Sequence, residues 1–310
     1  MSGDAKRVLV PVDGFQPSLD AVGYTADLFP PHRTEVVLFH VFSQVPESLY
    51  DLGSGPSFQE ALRSLTGWEM RLRESIERFM EKARGLLRAA GFPDSSVTVS
   101  MPDLQSGIAR DIFAESHGGY HAVVAGRTGA DKLQGLVLGG VAKKLLDRMD
   151  HLPLCLVGGR THPESLLLAL DGSEGSFRAV EFTASTLPRV SCVVLFHALR
   201  GFDIYERGPN GTAAEDHNRE WLERYDMESA FDRARKRLSA AGIDPSSVST
   251  RFVKGVTSRS GALVGEAREG PLGTLVLGRR GHSDVPDFSI GRVADKVIQL
   301  ARDRAVWIVP

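Results

Sequence analysis

Short, nearly continuous apolar runs alternate along this chain with longer stretches in which apolar residues recur every three or four positions. The runs near 7–12, 34–41, 96–100, 121–126 and 153–157 are rich in Val, Leu and Ile. Such runs are expected of strands in a parallel sheet covered on both faces, where no face needs polar residues. Between them, Leu65, Leu72, Ile76, Phe79, Ala83, Leu86 and Ala90 keep helical spacing with Glu, Arg and Lys in the gaps, which predicts one long amphipathic helix. Further along, Trp221, Tyr225, Phe231, Ala234, Leu238 and Ala241 repeat the pattern. The segments 43–58 and 200–214, rich in Pro, Gly and Ser, read as loops after the second strand of each half.

The chain is also self-similar. RVLVPVDGFQPSLDAV (7–22) returns as SLLLALDGSEGSFRAV (165–180), VVLFHVF (36–42) as VVLFHAL (193–199), and LLRAAGFPDSSVTV (86–99) as RLSAAGIDPSSVST (237–250). The stretch 123–146 then matches 275–298, and CLVG (155–158) matches WIVP (307–310). Matches in one order at nearly constant offset mean a duplicated domain, with copies of ~150 residues, too large for a solenoid unit. GGRTHPES (158–165) reads as the joint, giving expected domains of 1–159 and 160–310. Five strands alternating with four helices in each copy predict a doubly wound α/β domain, twice over.

After the fourth strand the first copy carries Gly126, Gly129 and Gly139 in the frame G-x2-G-x9-G, followed by Gly140; the second carries Gly278, Gly281 and Gly291, followed by Arg292. Glycine leaves no Cβ between backbone amides and a ligand, so such a loop can bring N–H groups against a phosphate. The last glycine opens the final helix, whose free amides and dipole also favour an anion. An acid follows the first strand in each copy, Asp13 and Asp171. It has two readings: a turn former or cap for the next helix, or a ligand contact, if the first and fourth strands are neighbours at the point where strand order reverses.

These residues together resemble the universal stress protein family in its tandem form. The resemblance rests on VPVDG and ALDGS, on strands ending in LFHV and LFHA, and on GRTGADKLQGLVLGG and GRRGHSDVPDFSIGR. It covers nearly the whole chain. It implies two tandem five-stranded parallel sheets of strand order 3-2-1-4-5, paired through their last strands into an intrachain pseudo-dimer. It also implies ATP or another adenine nucleotide as ligand, with or without Mg2+. By position, Asp13 and the backbone at Val41 would lie on the adenine and ribose side, and Gly126, Gly129, Gly139 and Gly140 would cradle the phosphates. Arg127 would lie within the cradle; Asp171, Gly278, Gly281, Gly291 and Arg292 would be the second set. The family's nucleotide motif ends in Gly followed by Ser or Thr, where this chain has Gly140 and Arg292. Copy one is the better candidate, since Gly140 keeps the amide and adds no bulk, while Arg292 either pairs with a phosphate or fills the pocket.

Other motifs add little. GLVLGG (135–140) lacks the Lys of a P-loop, because Val141 stands in its place, and no nucleophile elbow, zinc motif or EF-hand loop occurs. His40 and His197 end equivalent strands and read as hydrogen-bonded scaffold residues. Arg127, Arg279 and Arg280 read either as solvated loop residues or as phosphate contacts. Trp68, Trp221 and Trp307 read as packing residues. Cys155 and Cys192 both fall in apolar runs, where a thiol acts as a small hydrophobe.

Composition narrows the function classes. With 310 residues, 42% hydrophobic and 25% charged, and 37 basic against 39 acidic side chains, the chain has a globular composition and no overall charge for wrapping nucleic acid or lying on an anionic membrane. No apolar stretch nears the ~20 residues of a membrane span, and the opening residues lack a signal-peptide pattern; the expected location is the cytoplasm. The leading expectation is a non-catalytic stress-response protein whose nucleotide occupancy alters its contacts with a protein partner of unknown identity, alone or as a further homo-oligomer. The alternatives are a scaffold with decayed sites and a slow ATP hydrolase.

Overall fold

The computed structural model describes residues 5–42, 56–129, 137–159, 162–187, 189–201, 213–282 and 289–310, with backbone alone at 56–69 and 213–225. Copy one runs β1 (Lys6–Pro11), α1 (Gln16–Leu28), β2 (Thr34–Phe39), α2 (Pro56–Ala89), β3 (Val97–Ser100), α3 (Ile108–Glu115), β4 (Ala122–Gly126), α4 (Gly140–Arg148) and β5 (Leu154–Val157). Copy two runs β6 (Ser165–Ala169), α5 (Glu174–Thr186), β7 (Cys192–Arg200), α6 (Ala213–Ala240), β8 (Val248–Val256), α7 (Arg259–Glu269), β9 (Thr274–Gly278), α8 (Arg292–Leu300) and β10 (Ala305–Val309). Two of the expected loops are shorter than the composition implied: α2 starts at Pro56 and α6 at Ala213, and β7 runs on to Arg200. Proline suits the first turn of a helix, where its missing N–H is not needed. The remainder of those segments lies outside the described residues, as do the side chains of Trp68 and Trp221.

The strands form one ten-stranded sheet in the order β3-β2-β1-β4-β5-β10-β9-β6-β7-β8. Each half is parallel with order 3-2-1-4-5, and the halves meet where β5 and β10 pair antiparallel, with Cys155 opposite Trp307. Two sheet edges that would expose unpaired amides thereby cover each other. Side chains alternate across the sheet: Val8, Val10, Cys155 and Trp307 face a layer of α1, α2, α5 and α6, while Leu9, Leu154, Leu156 and Val306 face α3, α4, α7 and α8. Both cores span the joint, because helices on both faces must cover a continuous sheet.

The seam is not symmetric. Trp307 is fully buried between Phe182 and Phe29, with ring centroids 4.8 and 6.3 Å away. Its indole N–H can only donate, and does so to Tyr24 Oη at 2.9 Å. Tyr24 Oη lies 3.0 Å from Thr274 Oγ1, which donates to the Pro163 carbonyl at 2.8 Å. The Thr274 proton is thus committed, so the Tyr24 hydroxyl donates to Thr274. Burial pushes the Tyr24 hydroxyl and the Cys155 thiol well up from their ordinary values and keeps both neutral. Cys192, by contrast, is half-buried at the start of β7.

Candidate functional site

β1 and β4 are direct neighbours in the sheet, so the segments that follow them leave the same edge on opposite sides of one crevice, at the switch point of strand order. In copy one the chain turns at Asp13-Gly14, where Gly14 has φ +87°, a value glycine adopts without strain. The exposed Asp13 carboxylate accepts the Phe15 N–H through Oδ1 at 3.1 Å, and the Asp13 N–H donates to Ser18 Oγ at 3.3 Å. This is an Asx turn. The second carboxylate oxygen points elsewhere: a Cβ on Gly129 would stand 2.8 Å from Asp13 Oδ2. The acid and the glycine loop therefore meet, and a side chain on Gly129 would push them apart.

The glycines of this loop do different things. A Cβ on Gly126 would lie 2.7 Å from the Pro17 carbonyl group, so this residue lets α1 approach β4 and its bareness serves packing. Gly139 donates its N–H to the Arg127 carbonyl at 2.9 Å, which closes the loop and commits that amide. Gly140 is exposed, and a Cβ there would meet nothing within 4 Å. Helix α4 has no side-chain cap and no acid in its first turn, so its first amides remain available. Of the four glycines expected at the phosphates, Gly140 faces open space and Gly129 lies against Asp13 Oδ2.

Val41 follows β2. In a parallel strand, successive residues bond to opposite neighbours. His40 and Phe42 bond towards the β3 side, through His40 N–H to Ser100 O and Phe42 N–H to Pro102 O. Val41 consequently turns its backbone towards the β1 side, where β1 has already ended, and its side chain is buried. His40 braces this corner: its Nδ1 sits 2.7 Å from the Val12 carbonyl, which makes Nδ1 the protonated nitrogen of the neutral ring. Burial lowers the His40 pKa and favours that neutral form. His197 makes the equivalent contact with the Leu170 carbonyl at 2.8 Å.

Copy two has the same frame in a more tied-down form. Asp171 Oδ1 accepts both the Ser173 N–H at 3.0 Å and the Ser173 hydroxyl at 2.5 Å, and Ser173 Oγ caps α5 by accepting the Ser176 N–H. A Cβ on Gly281 would lie 2.5 Å from Asp171 Oδ2, and one on Gly278 would lie 2.5 Å from the Gly175 backbone. Gly291 donates to the Arg279 carbonyl as Gly139 does to Arg127. His282 then spans the mouth, donating Nε2–H to the Asp171 carbonyl at 2.7 Å. Arg292, in the first position of α8, is exposed. Its side chain is in solvent, which argues against the pocket-filling alternative.

Arg127 departs most from expectation. It is 4% exposed, and its guanidinium turns away from the crevice to donate Nη1–H to the carbonyl of Ile298, in α8 of the other copy. Burial brings its pKa down to about 10, so it stays charged at neutral pH. Arg279, equally buried, makes the reciprocal reach: Nη1 donates to Met149 O at 2.8 Å and Nη2 to Leu146 O at 2.6 Å and Asp147 O at 3.4 Å, while Nε holds Ser289 O in its own loop at 2.6 Å. Neither arginine is a solvated loop residue. The one signal that could have exposed them is their recurrence, directly after Gly126 and Gly278, in both copies. Ser173 and His282, which distinguish the second crevice, carried no signal because the first copy has Phe15 and Ala130 there.

A separate concavity of about 370 Å3 lies in copy two between α5 and α6, lined by Phe177, Arg178, Arg233 and Arg237 among others. Its cations are already engaged: Arg178 with Glu174, Arg237 with Glu181, and Arg233 over the Phe177 ring. Gly172, next to Asp171, also lines it, but no described residue of the glycine loop does, and such a lining gives it no evident ligand. Among the described residues no group of three or more His, Cys, Asp and Glu side chains is placed to hold a metal ion, and no helix is long and apolar enough to cross a membrane.

Duplicated open α/β halves with paired acid and glycine loops at the carboxyl ends of their strands define a two-crevice α/β protein. The chain matches the sequence profile of the Universal stress protein family twice, over residues 5–151 and 163–310. It belongs to that family, in tandem form. Among solved structures, a universal stress protein from Archaeoglobus fulgidus DSM 4304 is 17% identical, with a TM-score of 0.60 over 98% of this chain and 97% of that one. A functionally unknown protein from Pseudomonas aeruginosa PAO1 is 14% identical, with a TM-score of 0.55 over 98% and 92%. A universal stress protein in complex with cAMP is 22% identical and covers 47% of this chain and 96% of its own, with a TM-score of 0.34; nothing about ligands follows from that likeness. No curated protein matches the chain.

Proposed function

We propose that this protein binds an adenine nucleotide in the crevice of copy one and acts without catalysis, its occupancy altering how it engages a protein partner. The observation that carries the reading is the convergence of Asp13 Oδ2 on Gly129, beside a closed glycine loop and the uncapped start of α4 at Gly140. An anionic phosphate chain suits free helix amides and a loop without Cβ atoms. The Val41 backbone, turned towards the end of β1, offers a donor and an acceptor to a base edge. Asp13, with one oxygen committed to its own turn, keeps the other for a ribose hydroxyl. Copy two is the weaker site in this reading, since Ser173 and His282 hold Asp171 and the mouth of its crevice.

The test is calorimetric titration with ATP, ADP and AMP, with and without Mg2+, of the wild type and of Gly140→Ser. Heat of binding at micromolar to millimolar ligand is expected. Gly140→Ser adds a hydroxyl at the first helical position, where nothing blocks it, and a hydrogen bond to a charged group is worth ~1.5–3 kcal/mol. ATP should therefore tighten by roughly tenfold or more, and AMP much less. No heat from the wild type at millimolar nucleotide would remove the reading. Equal gains for ATP and AMP would remove the placement of the outer phosphates at α4.

A further inference from the structure

Arg127 and Arg279 each stand at the pivot of a glycine loop. Their N–H groups extend the pairing with the last strand, to Val157 O and Val309 O, and their carbonyls accept the closing amides of Gly139 and Gly291. Their side chains then leave the loop altogether and cross the seam. Arg279 holds the carbonyls of Leu146, Asp147 and Met149, the C-terminal end of α4. The opposite end of α4 is Gly140, beside the glycine loop of copy one. Arg127 holds Ile298, near the C-terminal end of α8, and α8 begins at Arg292, beside the glycine loop of copy two.

The connections therefore form a closed ring: loop two to the end of α4, α4 to loop one, loop one to the end of α8, α8 back to loop two. Each final helix has nine residues, about 13.5 Å at 1.5 Å per residue, which makes it a short, stiff strut. A guanidinium at its C-terminal carbonyls also offsets the negative end of the helix dipole, leaving the positive end to act on whatever anion approaches from the other side. Arginine suits this work better than lysine, because its planar fork spreads donors over several carbonyls at once.

We propose that Arg127 and Arg279 are positioning residues that couple the two crevices, each holding in place the helix whose N-terminus completes the other copy's glycine loop. The coupling rests on the nucleotide reading above for its ligand, but its mechanical half does not. Coupling between binding sites is reciprocal: a ligand in one crevice shifts affinity in the other, and the two arginines carry that shift unequally. Arg279 spans three carbonyls of the partner copy, whereas Arg127 reaches one.

The experiment uses the full chain in wild-type form and as Arg279→Met, Arg279→Lys and Arg127→Met. Hydrogen exchange without ligand is expected to rise about tenfold over 139–149 of copy one in Arg279→Met, although the substitution lies in copy two. Arg279→Lys, which keeps the charge and part of the donor set, should recover much of the protection. Arg127→Met should raise exchange over 291–300 of copy two, by less. With ATP as probe, Arg279→Met should weaken binding in copy one by roughly three- to thirtyfold, and AMP less, because only the phosphate end touches α4; general loosening would weaken both alike. Unchanged exchange in α4, or changes confined to copy two, would overturn the proposal. Equal losses for ATP and AMP would overturn its link to the phosphate loop. If the wild type takes up no ATP, the nucleotide reading falls and exchange alone decides the coupling. Should Arg279→Met fail to fold, the same exchange comparison is read from Arg279→Lys.

Discussion

The two copies carry one frame and finish it differently. In copy one Asp13 gives a single oxygen to its turn, Phe15 leaves α1 uncapped, and α4 opens on two glycines. In copy two Ser173 takes up the Asp171 oxygen twice and caps α5, His282 bridges the crevice mouth, and α8 opens on Arg292. The seam divides along the same line. Trp307 and Cys155 are equivalent residues facing each other, one of the largest side chains against one of the smallest, and Tyr24 carries a hydroxyl where its counterpart Phe182 has none. Duplication supplies two copies of a fold, and the two differ both at the crevices and at the seam they share.

The largest effect should come from the seam. Trp307→Ala removes a fully buried indole and leaves Tyr24 without its donor, at an expected cost of about 3–5 kcal/mol, whereas Cys155→Ala at the equivalent position should cost ~1 kcal/mol. Urea unfolding of both variants measures the contrast, and similar losses would mean that the seam is energetically symmetric after all.

A middle-sized effect separates the two acids. Asp13→Ala should cut nucleotide affinity while costing ~1 kcal/mol of stability or less. Asp171→Ala, which strands two Ser173 donors, should cost about 1–3 kcal/mol and little affinity. Thermal melts with and without ATP separate these outcomes. If Asp171→Ala were the variant that lost affinity, the ranking of the crevices would be reversed.

The smallest effect is a slope. The His40 pKa is lowered by burial, so as pH falls the unfolded chain takes up this proton before the folded one does. The unfolded state then binds more protons, and stability declines as pH drops through the ordinary histidine value near 6.5. His151, also lowered by burial and by His117 stacked on it at 4.1 Å, adds to the same trend. Both lie in copy one. His40→Gln keeps a donor for the Val12 carbonyl without titrating there, and should flatten stability against pH between 7.5 and 5. An unchanged slope would place the acid sensitivity elsewhere.

What the sequence determined by itself was local or repeated: strands from apolar runs, helices from a three-to-four spacing, the duplication, and an acid and a glycine frame after equivalent strands. Those signals are short in range, and the parallel architecture follows from them because alternating strands and helices have few ways to cover each other. The tertiary structure decided the rest. Gly126 reads as a phosphate glycine until α1 is seen lying against it, and Arg127 reads as a ligand contact until its guanidinium is followed across the seam to Ile298. Trp307 reads as generic packing until Tyr24, Thr274 and Pro163 are found relaying its hydrogen bond. The first of these contacts joins α1 to β4 within copy one; the other two join residues of different copies, and they exist only because β5 and β10 pair antiparallel. Each residue's own neighbourhood carries no trace of a partner that the joining of two sheet edges brings beside it.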